Sequence, residues 1–152
     1  MRSRRPSDDR LATWRSFLEA HTRVIRRLDQ ELQAEHGFGL DWYDVLFQLH
    51  DAGGRRTMSD LADAVLLTRP NCTRLVDRLV NAGLVRREPD PDDARMRWAE
   101  LTDDGVAALR RASPTHLAGI ERYVTRHLDD ATSATLRAVF GAVLDSLADS
   151  PA

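Results

Sequence analysis

Lysine is absent from these 152 residues: all 22 basic side chains are arginine, against 24 acidic ones, for a net charge of −2. Attraction of the whole chain to a polyanion is excluded, so any such attraction has to be local. The missing lysine is read as the mark of a GC-rich genome rather than of selection at an interface, although arginine suits bidentate contacts to guanine and phosphate. The single cysteine, Cys72, excludes an internal disulfide and fits a reducing compartment. No apolar run approaches the roughly 18 residues of a membrane span. The basic start, MRSRRPSDDR, lacks the apolar region of a signal peptide. A cytoplasmic protein with no membrane partner is expected. Neither a phosphate loop, a nucleophile elbow nor a zinc signature is present, so neither an enzyme nor a cofactor is expected. His36, His50, His116 and His127 lack paired ligand spacing, so no metal is expected either. With no internal repeat or low-complexity linker, the 42% hydrophobic content fits one compact domain over residues 1–152.

What is present is concentrated between Ser59 and Thr102. Ser59 is placed to cap a short helix whose apolar face holds Leu61 and Val65. Leu67 and Thr68 form a turn, Thr68 or Arg69 caps the next helix, and Pro70 falls in its first turn, where a missing N–H costs nothing. Cys72, Leu75, Val76 and Leu79 recur at helical spacing and point inward, which sets Arg74, Asp77 and Asn81 opposite them, Asn71 and Arg78 on one flank and Thr73 on the other. Gly83 suits the left-handed position past the helix end near 82, with Leu84 folding back on Leu79. Strands are expected over Leu84–Arg87 and Met96–Leu101, joined by a loop in which prolines and Asp90, Asp92 and Asp93 favour tight turns. The order is a helix-turn-helix followed by a β-hairpin wing, the architecture of a duplex-DNA reader. Residues 66–88 carry Arg69, Arg74, Arg78, Arg86 and Arg87 against Asp77 and Glu88, a local balance of +3. Asp77, on the DNA side, is expected to pair with Arg74 or a wing arginine. Arg95, at the end of the loop, and Arg97 beyond it complete the candidate basic surface, and one extended arginine suits an adjacent minor groove.

The flanks read differently. Leu11, Trp14, Leu18, His21, Ile25, Leu28 and Leu32 step by three and four along a helix from Asp8 to about Glu35, a heptad seam interrupted by one histidine. A helix over Asp41–Asp51 follows. Leu101–Ala112 continues as helix, Pro114 kinks or restarts it, and a further helix reaches His127 or Leu128. The last helix, about Thr132–Ala148, has a broad apolar side including Leu136, Val139, Phe140, Val143, Leu144 and Leu147. The fold class is mainly α with a small β-hairpin wing, a winged helix-turn-helix core over 41–105 flanked by dimerisation helices at 8–35 and 114–149. Trp14, Trp42, Tyr43 and Phe47 either line a cavity where the N-terminal helices meet the winged lobe or belong to the core, and His21 is an interface or pocket residue. Cys72, on the inward face, reads as a core thiol.

The run LTRPNCTRLVDRLVNAGLVRREPDPDDARMRWAELTDDG resembles the DNA-binding core of the MarR family of bacterial winged-helix regulators. The resemblance rests on Thr73-Arg74, Gly83-Leu84-Val85, Asp93-x-Arg95 and Leu101-Thr102, all within 57–105. It implies that Arg95 enters the minor groove and that Asp93 holds the wing in shape. Many members carry two adjacent arginines at the wing tip, and Ala94 occupies the first here, so fewer wing contacts are implied. It also implies a homodimer built from the terminal helices. The expected function is sequence-specific regulation of transcription, as a repressor on a pseudo-palindromic DNA operator. The expected contacts are Thr68, Arg69, Asn71, Thr73, Arg74 and Arg78 from the helix-turn-helix and Arg86, Arg87, Asp93, Arg95 and Arg97 from the wing. A small aromatic effector bound by Trp14, His21, Trp42 and Tyr43 is expected to release the DNA. The alternative is a winged-helix module that docks proteins without reading DNA. A third class, the dimerisation domain of a small-molecule methyltransferase, lacks here the glycine-rich cofactor unit it requires.

Overall fold

The structure, a computed structural model, describes residues 5–65, 69–93 and 95–148, with Arg69 and Pro70 described in their backbone alone. Leu67, Thr68, the Arg69 side chain and Ala94 lie outside the described residues. Along the chain run α1 (Asp8–His36), α2 (Leu40–Asp51), β1 (Arg55–Thr57), α3 (Met58–Ala64), α4 (Arg69–Asn81), β2 (Val85–Pro89), β3 (Arg97–Leu101), α5 (Asp103–Tyr123), a 3-10 turn (Thr125–His127) and α6 (Asp130–Ala148). They fall into two compact units, Met1–Leu117 and Ala118–Ala152.

The first unit is organised by caps and one small sheet. α1 buries only its C-terminal end, at Leu28 and Leu32. There the Asp29 carboxylate accepts from the Leu40 N–H at 2.8 Å, so α1 supplies the cap that α2, entered through Gly39, cannot supply locally. α2 then buries Tyr43, Val45, Leu46 and Leu49. The sheet has the order β1-β3-β2, antiparallel throughout, with Arg55 opposite Glu100 and Arg87 opposite Ala99. Sequence reasoning missed β1, since three residues beginning with two arginines carry no apolar alternation. Thr57, at its end, caps α3 by accepting from the Asp60 N–H, which corrects the expectation that Ser59 does so: a cap must precede the first helical residue, here Met58.

The core gathers Leu32, the inward residues of α2, Leu61, Val65, Cys72, Leu75, Val76, Leu79, Val85, Ala99 and Leu109. α4 leaves through the expected turn: Gly83 has φ 75°, the Leu84 N–H donates to Leu79 O and the Gly83 N–H to Val80 O. β2 starts one residue late and extends through Pro89, which is tolerated on this outer strand, while Met96 stays outside β3. Thr102 next ties three elements together: its hydroxyl donates to Gly83 O at 2.7 Å and accepts from the Gly105 N–H at 3.0 Å, capping α5. The helix therefore begins at Asp103, with Asp103 and Asp104 in its first turn, and Leu101 belongs to β3. Pro114 does not break it. Ala108, Leu109 and Ala112 are buried before the proline, and Thr115 after it donates to the Glu35 carboxylate, so packing on both sides outweighs a proline penalty of about 3 kcal/mol.

In the second unit α5 ends, the short turn follows, and Asp129 caps α6 by accepting from the Thr132 N–H at 2.7 Å, two residues earlier than the expected start. No residue of α6 is buried.

Candidate nucleic-acid interface

α4 separates its two sides cleanly. Cys72, Leu75, Val76 and Leu79 are buried, while Asn71, Thr73, Arg74, Asp77, Arg78 and Asn81 are exposed. Burial pushes the Cys72 thiol up, so it is held protonated as a core group. The hairpin is built by its aspartates. One Asp90 oxygen accepts from the backbone N–H groups of Asp92 and Asp93, and the other accepts from the Trp98 indole N–H at 2.7 Å. Those bonds, the Trp98 bond first, hold the Asp90 carboxyl below the usual carboxylate range. Asp93 accepts from the Arg95 N–H at 2.9 Å and so folds the tip back. The Arg55 guanidinium lies 4.4 Å from the centre of the Trp98 ring, so β1 braces the wing's base.

Of the expected arginines, Arg74 and Arg95 are exposed, and Arg97 is exposed while donating to the Met96 carbonyl at 3.0 Å. Three others are engaged within the chain: Arg78 with Asp41 at 3.1 Å, Arg86 with Glu100 at 2.9 Å, and Arg87 with Asp77 at 3.0 Å. Asp77 thus takes its expected wing partner. Thr57, Thr73, Arg87, Arg95 and Arg97 border one open groove of about 610 Å³ between the start of α3, α4 and the wing. Its hydroxyls and the Arg95 and Arg97 guanidinium groups suit a phosphodiester strand, while Asp60 and Asp93 also line it. Asp41 and Arg55 are the participants that sequence reasoning missed; Asp90 was read as a turn residue, which its bonds to the Asp92 and Asp93 N–H groups bear out, and only its bond to Trp98 was not foreseen.

The aromatic residues expected to bind a ligand fall into separate clusters. Phe17 links Trp14 and His21 on the exposed length of α1, with ring centres 5.8 and 6.0 Å apart. Trp42 stacks on Phe38, and the buried Tyr43 packs on His116 at 4.3 Å. The Tyr43 hydroxyl donates to Ser113 Oγ.

A sequence model described as the MarR family matches residues 36–96, from the end of α1 to the wing loop. Over 95% of its length the chain superposes with TM-score 0.91 on 91% of Sco3205 from Streptomyces coelicolor, a MarR family transcriptional regulator solved in complex with DNA, at 32% identity. The chain belongs to the MarR family of transcriptional regulators. A second MarR regulator from that organism, AbsC, superposes with TM-score 0.90 at 29% identity, covering 97% of this chain and all of AbsC. Among curated relatives, the HTH-type transcriptional regulator YkoM of Bacillus subtilis is 35% identical over 88 residues, 58% of this chain. The chain spans only 56% to 62% of the length of the first such relatives.

Proposed function

We propose that this MarR protein is a sequence-specific DNA-binding repressor that acts in the cytoplasm as a homodimer on a pseudo-palindromic operator. The observation that carries the reading is the pairing of two basic features on one unit: the exposed side of α4, with Asn71, Thr73 and Arg74, and the wing tip, with Arg95 folded onto Asp93. The first suits base edges in a major groove and the second an adjacent minor groove. The similarity to Sco3205, solved on DNA, supports it.

Dimerisation is supported by apolar surface that a monomer would leave wet. On α1, Trp14 is 56% exposed, with Leu18 and Ile25 of the seam and the neighbouring Phe17 also exposed; on α6, Leu144 and Leu147 are 66% and 65% exposed. No described helix is long and apolar enough to cross a membrane. Two symmetric α4 helices would read half-sites about one helical turn apart. A small aromatic effector would act by favouring one spacing of the two lobes. Trp14 and His21 on α1, and Trp42 and Tyr43 on α2, are the aromatic side chains it would meet.

The test is selection of duplexes from a randomised library by the full chain, followed by hydroxyl-radical footprinting. A two-fold footprint with wing protection outside each half-site is expected, together with a dimer by sedimentation at micromolar concentration. Failure to enrich any duplex, with wing and α4 arginines replaceable without effect, would transfer the protein to the docking-module class.

A further inference from the structure

Both terminal nitrogens of the Arg87 guanidinium are held by the recognition helix. Nη2 donates to the Thr73 carbonyl at 3.1 Å, Nη1 meets Asp77 Oδ1 at 3.0 Å, and Nε is enclosed without a partner. Thr73 and Asp77 are four residues apart, so one planar fork grips a single turn of α4 at both ends. The other end of the grip is equally fixed. Arg87 pairs across the sheet with Ala99, which is fully buried, and stands two residues before Pro89, where the wing leaves the sheet.

We propose that Arg87 is a positioning residue: by holding Thr73 and Asp77 it sets the angle between the recognition helix and the wing, and with it the register between major-groove and minor-groove contacts. The pair also neutralises Asp77, the one acidic side chain on the outward side of α4, which would otherwise repel phosphate. Arg87 therefore governs the preference for one sequence over another and contributes no phosphate contact of its own. The inference rests on the DNA-reading function proposed above.

The experiment uses the duplex enriched by the parent chain and a scrambled duplex of equal length. Arg87→Gln and Asp77→Ala should each lower the preference for the enriched duplex by about tenfold, and the double variant should be no worse than either, because both remove one coupling. The salt slope of Arg87→Gln should match the parent's. Arg87→Lys should not restore preference, since an ammonium cannot span both partners. Asp77 is half-exposed, so its variant keeps the fold should Arg87→Gln prove unstable. If instead Arg87→Lys binds like the parent and Arg87→Gln flattens the salt slope by about 0.9 with preference intact, Arg87 is a phosphate contact and the inference falls alone. Unchanged preference in Asp77→Ala also overturns it alone. A parent that enriches no duplex overturns the inference and the DNA-reading function together.

Discussion

The Trp98 indole donates to the Asp90 carboxylate at 2.7 Å, tying the middle of β3 to the first residue of the wing loop. The same carboxylate organises the loop backbone at Asp92 and Asp93, and Arg55 stacks on the other partner, so one pair links β1, the wing loop and β3.

Asp90→Ala is expected to loosen the wing while leaving the helical core folded. Trp98 emission should shift to the red, and protection of the wing-contacted DNA flank should weaken several-fold more than protection of the half-site centre. The sign with pH follows from the lowered Asp90 value: its bonds contribute fully above the ordinary carboxylate value of 3.8 and are lost as pH falls through the depressed one. Acid titration of Trp98 fluorescence in the parent checks this, and a pH-independent signal down to the global transition would contradict it.

Gly105→Ala sets two effects against each other. Helix propensity alone would favour alanine by about 1 kcal/mol. A Cβ there, however, would stand 2.1 Å from the Leu84 carbonyl oxygen, and that oxygen is fixed because it accepts from the Thr102 N–H. Backbone rather than a flexible side chain must move, so a net loss of about 1–3 kcal/mol is expected, or several degrees in Tm. Calorimetry of this variant beside Gly141→Ala, where nothing lies within 4 Å, separates sterics from propensity.

How far the sequence discloses this arrangement depends on which force sets each piece. Where burial and local capping agree, as along Cys72, Leu75, Val76 and Leu79 and at Gly83, the periodicity places both the element and its end. Thr57 and Asp29 show the contrary case. The cap of α3 comes from a strand with no sequence signature, and the cap of α2 from a helix 11 residues upstream. At Pro114 the helix does not restart, because the residues after it are held by long-range contacts, His116 on the Tyr43 ring and Thr115 on Glu35. The charges of the candidate site were visible as residues but not as partners: Asp41 and Arg78 are 37 residues apart, and only the folded chain pairs them. The heptad seam of α1 was legible as a pattern, while its division into a buried end at Leu28 and Leu32 and an exposed start at Leu11 and Trp14 was not.

His116 carries a pH dependence of the same sign as Asp90, but in a higher pH window. It packs on the Tyr43 ring with Nδ1 buried and without a hydrogen-bond partner; desolvation lowers its pKa, and the nearby Asp44 opposes this more weakly. The folded state thus binds this proton less readily than the unfolded chain, so stability should fall as pH drops below the ordinary imidazole value of 6.5. His116→Phe keeps the ring contact and removes the titration. Its Tm should vary less than the parent's across the mildly acidic range, and parallel profiles would show that the dependence originates elsewhere.

The Asp41–Arg78 pair makes the last prediction one of competition. Both side chains are substantially exposed, 40% and 60%, so the pair itself adds little to stability, in the range of about 0–1 kcal/mol. Its consequence lies in DNA binding, because Arg78 stands on the exposed flank of α4 and an arginine held by a carboxylate cannot at the same time neutralise a phosphate. Asp41→Asn should leave Tm nearly unchanged yet tighten binding to enriched and scrambled duplexes alike, and steepen the slope of log affinity against log salt by about 0.9. In that background Arg78→Gln should reverse both gains, whereas in the parent the same change should cost little. An Arg78→Gln loss of equal size in both backgrounds would mean that Arg78 already contacts phosphate in the parent and that Asp41 does not restrain it.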